Sequence, residues 1–137
     1  MKQFPTLTHV AVTVTDLERS VAWYSRLFGT DPLIVTGDFN AGEENLATLF
    51  MKGEAMVDGA SNPLPLVDSF RAMYPDEDEV KTAHAFMGGS TGGKIDYVYM
   101  DPGHEALAAE IDRTSVDGRY PSDHYPVTGT LRLPARP

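Results

Sequence analysis

The sequence predicts a mixed α/β (α+β) domain, built mainly on one β-sheet with helices packed on one face. Three observations carry this. Residues 7–14, LTHVAVTV, alternate and are rich in β-branched side chains, as a strand requires. DLERSVAWYSRLFG follows, with Leu17, Val21, Trp23, Tyr24, Leu27 and Phe28 at helical spacing, between an N-cap at Asp16 and a stop at Gly29. KIDYVYM, residues 94–100, alternates again, with Asp96, Val98 and Met100 on one side and Ile95, Tyr97 and Tyr99 on the other.

The remaining elements follow in order. Trp23, Tyr24 and Phe28 are read as core. Residues 32–36 form a second strand, and the strand–helix–strand order points to a parallel pair joined by a right-handed crossover. Residues 44–52, ENLATLFMK, read as a short helix, and residues 57–66 as a loop punctuated by Gly59, Pro63 and Pro65. LVDSFRAMY, residues 66–74, reads as an amphipathic helix ended by Pro75. MGGSTGG, residues 87–93, is a turn-rich loop. HEALAAEIDR, residues 104–113, has the composition of a helix but also suits a strand connection. TSVDGRYPSD is a loop, and HYPVTGTLRL, residues 124–133, ends the chain as a strand.

The length of 137 residues suits a single domain over 1–137. A chain of this size buries on the order of two thirds of its unfolded surface. There is no cysteine, which excludes a disulfide framework and a thiolate zinc site. No apolar run approaches the roughly 20 residues of a membrane helix, and MKQFPTLTHVAV lacks the apolar core of a signal peptide. A cytoplasmic location is the default, with no membrane partner. Twenty Asp and Glu face eleven Lys and Arg, a formal charge of −9, and no basic cluster stands out. Nonspecific nucleic-acid binding needs cations against phosphates, so that class is disfavoured. The acidic runs GEEN and PDEDE read as solvated loop or cap charge.

Chemistry-bearing residues collect at strand ends. The apolar run Leu33-Ile34-Val35 stops at Gly37, and Asp38 and Asn40 follow two residues apart, on one face if the strand continues. Asp96 lies in the KIDYVYM strand, and Asp123 and His124 precede the last one. Each group is also ordinary turn punctuation. Brought together by neighbouring strands, they assemble three carboxylates, an imidazole and an amide. Carboxylates are natural ligands of Mg²⁺ or Mn²⁺, and a metal with a His–Asp pair suits hydrolysis of a phosphate ester.

GDFNAG, GGKIDYVY and RTSVDGRYPSDHYPV, in that order, resemble the C-terminal motifs of the endonuclease/exonuclease/phosphatase superfamily, over about residues 31 to 134. The resemblance implies a metal-dependent phosphoesterase, here as a partial sandwich of that family. It implies that Asp38 orients the attacking water and that Asn40 holds a phosphate oxygen. Asp123 then sits at the metal, and His124 contacts the scissile phosphate with Asp96 as its hydrogen-bond partner. The implied cofactor is Mg²⁺ or Mn²⁺, weakly bound. The implied substrate is a phosphorylated small molecule or a nucleic-acid end. The family's early Asn and metal-binding Glu have no counterpart before Asp38, and Glu18 fits a capping box better. The chain therefore looks like about half of such an enzyme, and a non-catalytic remnant is the alternative. An uncovered apolar sheet face then implies self-association.

Residues 8–29, THVAVTVTDLERSVAWYSRLFG, resemble the first β-α unit of the vicinal oxygen chelate family, which includes glyoxalases and extradiol dioxygenases. In that family the strand-one His, here His9, is often a metal ligand, but the second His and distant Glu of the pattern do not follow here, and His9 also reads as an ordinary half-buried histidine; the resemblance gives a third reading, a metalloprotein acting on a small organic substrate. The joined resemblances, residues 1–30 and 31–134, imply a fused or rearranged gene. TAHAF, residues 82–86, resembles a phosphoesterase segment but carries Ala83 and Ala85 where larger or more flexible residues are usual, which clouds any role for His84.

Overall fold

The computed structural model describes residues 16, 19, 20 and 23 and residues 34–134. The chain divides into two compact units, Met1–Asp31 and Pro32–Pro137. In the first, Asp16 caps a helical turn. Its carboxylate accepts from the Arg19 N–H at 2.9 Å, and its carbonyl accepts from the Ser20 N–H at 3.1 Å. Trp23, expected in the core, is 55% exposed. The strand expected at 7–14 and His9 lie outside the described residues, as does the crossover that the strand was expected to enter.

The second unit begins with β1 (Ile34–Asp38), which continues past the expected end at residue 36. Next come α1 (Leu46–Lys52), a two-residue hairpin of β2 (Met56–Val57) and β3 (Ala60–Ser61), β4 (Val67–Asp68) and α2 (Ser69–Met73). β5 (Asp96–Met100), β6 (Glu105–Ile111) and β7 (Val127–Arg132) complete it. Local chemistry sets the helix ends. The Asn45 side chain caps α1 by accepting from the Ala47 N–H, and Gly53 closes it at φ +77°. Asp68 caps α2 by accepting from the Phe70 N–H at 3.0 Å.

The architecture is a mixed α+β unit with several antiparallel sheets, not mainly one sheet. β1, β5 and β4 form one in the order β1-β5-β4, β2 pairs with β3, and β6 pairs with β7. Every one of these pairs is antiparallel. β5 is central and buried on both faces. Tyr97 and Tyr99 join Leu66, with Val35, Phe39 and Met51 of α1 packed against them. Phe39 meets both tyrosine rings edge-on. On the opposite face, Gly129 of β7 lies against Val98 and against Ser69 at the start of α2. The helices thus serve both faces of the three-stranded sheet, not one.

A second cluster, Phe70, Val80, Ala109, Ile111 and Tyr125, joins α2 to β6 and to the segment before β7. Residues 104–113, helical by composition, form β6 instead. An Asp101–Gly103 turn launches it, with the Asp101 carboxylate accepting from the Gly103 N–H at 2.7 Å. Pairing with β7 and burial of Ala109 and Ile111 then outweigh Ala-rich propensity. Between the clusters, the fully buried Lys94 donates to Asp68 at 2.5 Å and lies 3.5 Å from the centre of the Tyr97 ring. A buried ammonium is tolerated when a carboxylate and a ring face replace its water.

Candidate metal centre

β1 and β5 bring the first two candidates together. Their register sets Asp38 directly opposite Asp96. Residues paired this way point to the same face, with Cβ atoms about 4.5–5.5 Å apart, and like charges there repel. Gly37 precedes Asp38 at φ +149°, a backbone conformation that side chains disfavour, and so the strand turns its last carboxylate from a position only glycine takes easily. Asn40, itself left-handed at φ +49°, holds that carboxylate twice. Its backbone N–H donates to Asp38 Oδ1 at 2.7 Å, and its side-chain amide donates to Oδ2 at 3.1 Å. Asn40 therefore orients Asp38, where the phosphoesterase resemblance had it holding a substrate oxygen.

The imidazole arrives from the segment before β7. His124 Nδ1 lies 2.9 Å from Asp96 Oδ2. One ligand atom each from Asp38, Asp96 and His124 falls within 4.8 Å of the others. The hydrogen bond to Asp96 raises the His124 pKa above its ordinary value, and the charges of Asp96, Asp38 and Asp123 add to this against a partial desolvation. The repulsion of the two paired carboxylates is thus offset by a ring that favours its cationic form.

Asp123 acts differently. Its carboxylate is outside the three-atom group and accepts from the Ser122 hydroxyl at 3.4 Å. Its backbone carbonyl is the useful atom, accepting from the N–H groups of His84 at 2.8 Å and Ala85 at 3.0 Å. The first of those bonds belongs to an antiparallel bridge that sets Ala83 opposite His124. Thr82 binds the assembly. Its buried hydroxyl accepts from the N–H groups of Ile95 and Asp96 at 2.9 and 3.2 Å, and its carbonyl accepts from the Tyr125 N–H at 2.8 Å. One threonine thereby fixes the start of β5 against the His124 segment. Sequence reasoning singled out residues 82–86 only for His84, and a lone Thr gives no pattern to find.

The donor set suits a divalent cation. Two hard carboxylate oxygens and one imidazole nitrogen leave further coordination positions for water or substrate. His124 Nδ1 faces Asp96, so a cation held by both residues would take the place of the proton between them.

No solved structure matches the chain. Residues 6–124 match the model of the Glyoxalase/Bleomycin resistance protein/Dioxygenase superfamily. This match overturns the phosphoesterase assignment, and with it the magnesium hydrolase acting on phosphate esters. GDFNAG and SDHYPV are short motifs of Asp, Asn, Gly and His. Such residues mark strand-end polar sites in many folds, so they weigh less than a match along most of the chain. The vicinal oxygen chelate resemblance, read over residues 8–29 alone, was the sounder of the two. The chain belongs to the Glyoxalase/Bleomycin resistance protein/Dioxygenase superfamily.

Proposed function

We propose that the chain binds a divalent cation through Asp38, Asp96 and His124 and acts on a small organic substrate that offers oxygen atoms to it. The observation that carries this is the cross-strand opposition of Asp38 and Asp96 beside a hydrogen-bonded imidazole. Two carboxylates facing one another are unfavourable unless a proton or a cation lies between them. The superfamily's frequent use of divalent metals supports the reading. A bound metal would supply Lewis-acid polarisation of substrate oxygens.

The protein's own groups do the rest. Asp96 holds His124 Nδ1 toward the space that the cation would fill. Asn40 keeps both Asp38 oxygens in place, so the carboxylate needs little reorganisation on binding. Thr82 keeps Asp96 and His124 at fixed separation.

Mn²⁺ titration followed by water-proton relaxation tests the proposal. Wild type is expected to show one weak site. Asp38→Asn, Asp96→Asn and His124→Ala are each expected to weaken it by at least about 10- to 100-fold, the range seen when only a ligand's hydrogen-bonded support is removed. Undiminished binding in His124→Ala, or loss in His9→Ala alone, would move the centre elsewhere and overturn the assignment.

A further inference from the structure

Phe86 and Met87 are 58% and 85% exposed, and so contribute little to the core. They sit on a backbone that is costly to form. Ala85 and Phe86 are consecutive non-glycine residues in the left-handed region, at φ +49° and +63°, a conformation that side chains strain against. Local bonds hold that conformation. The Met87 N–H donates to the His84 carbonyl at 2.8 Å, and the Gly88 N–H donates to His84 Nδ1 at 3.3 Å. The His84 ring is buried, stacked on Tyr125 at 3.9 Å and edge-on to Tyr120 at 4.5 Å.

The same segment is attached to the metal centre. His84 and Ala85 donate to the carbonyl of Asp123, and Ala83 stands opposite His124. Phe86 is one residue beyond Ala85, and His124 one beyond Asp123. The two are therefore no more than two Cα steps, about 3.8 Å each, further apart than that hydrogen-bonded contact. Ala83, beside the imidazole, leaves room on the same face.

We infer that Phe86 and Met87 form the apolar wall of the substrate site, so that the substrate carries an alkyl or aryl group next to the oxygen atoms it offers to the metal. The inference rests on the metal centre proposed above. It explains why a strained loop, fixed to the His124 segment, presents two large apolar side chains to solvent. A flexible methionine and a flat ring together accommodate apolar groups of different shape.

The test uses Mn²⁺-loaded full-length protein and three chelating acids: acetohydroxamic, benzohydroxamic and octanohydroxamic acid. Binding is read from the change in water-proton relaxation. In wild type the benzo and octano compounds are expected to bind at least about tenfold more tightly than the aceto compound, from partial burial of the tail. In Phe86→Ser/Met87→Ser that preference is expected to vanish, while Mn²⁺ affinity stays unchanged. Phe86→Leu/Met87→Leu is expected to keep it. Equal binding of all three acids by wild type, or a preference that survives in the serine variant, overturns this inference and leaves the metal centre standing. Absence of Mn²⁺ binding by wild type overturns both.

Discussion

His124 shows how a single hydrogen bond sets the working range of a group. Its pKa is raised above the ordinary imidazole value, chiefly by Asp96. A group raised in the folded state contributes stability that is complete below the unfolded value and is lost as pH climbs through the folded one. The relevant window therefore opens near pH 6.5, the usual imidazole value, and extends upward. Asp96→Asn removes the anion and is expected to bring the His124 titration, followed by NMR of the ring protons, back toward that value. A titration that does not move would break the link between the two residues. Metal binding has the opposite pH dependence, since the coordinating nitrogen must be free of its proton. Gly37 offers a second check. A Cβ there meets nothing within 4 Å among the described residues, yet φ is +149°. Gly37→Ala is expected to cost about 1–3 kcal/mol by strain alone and to weaken Mn²⁺ binding by re-aiming Asp38. At this scale the sequence was legible where chemistry is carried by side-chain type. Asp38, Asp96 and His124 stood out as chargeable residues at strand ends. Asn40 was visible too, but its partner was not, because an amide that orients a neighbouring carboxylate and one that binds a ligand look alike in a sequence. Thr82 gave no signal, since its role lies in two backbone N–H groups that only tertiary structure brings to it.

Among the elements, the best predicted are those whose ends are written locally. The helix at 44–52 appears as α1 because Asn45 and Gly53 cap it, and KIDYVYM forms β5 with tyrosines on one face because alternation has a period of two. β6 was ambiguous for the converse reason. Ala106, Ala108 and Ala109 favour a helix in isolation, and only β7, sixteen or more residues further on, supplies the ladder that makes a strand. The close approach of β7 to β5 is likewise silent in the sequence. A Cβ on Gly129 would lie 3.2 Å from both Ser69 Oγ and Val98 Cγ1. Gly129→Val is therefore expected to destabilise by about 1–3 kcal/mol in urea unfolding, as overpacking does. Val98→Ala in the same chain is expected to recover part of that loss, a coupling that a double-mutant cycle measures. Additive effects would show that β7 does not press on β5 at Val98.

At the scale of the whole molecule, the acidic balance and the proposed metal centre would act on one equilibrium. A formal charge of −9 makes the folded state self-repelling, and a divalent cation at Asp38, Asp96 and His124 would relieve the repulsion between two facing carboxylates while binding the native state alone. The consequence is a linkage. A ligand at 100 times its dissociation constant stabilises by about 2.7 kcal/mol. For a chain of this length each kcal/mol raises Tm by roughly 3–4 °C. Saturating Mn²⁺ is then expected to raise the melting temperature by about 8–11 °C, and the rise should shrink as pH falls below the His124 titration. Generic screening predicts something else, since NaCl at matched ionic strength would give the same rise and His124→Ala would keep it. The specific centre predicts that monovalent salt does little and that His124→Ala melts at the same temperature with or without Mn²⁺. Calorimetric scans of the two proteins under the two salts separate these cases, and a metal-induced rise retained in His124→Ala would place the stabilising cation outside the β1–β5 rim.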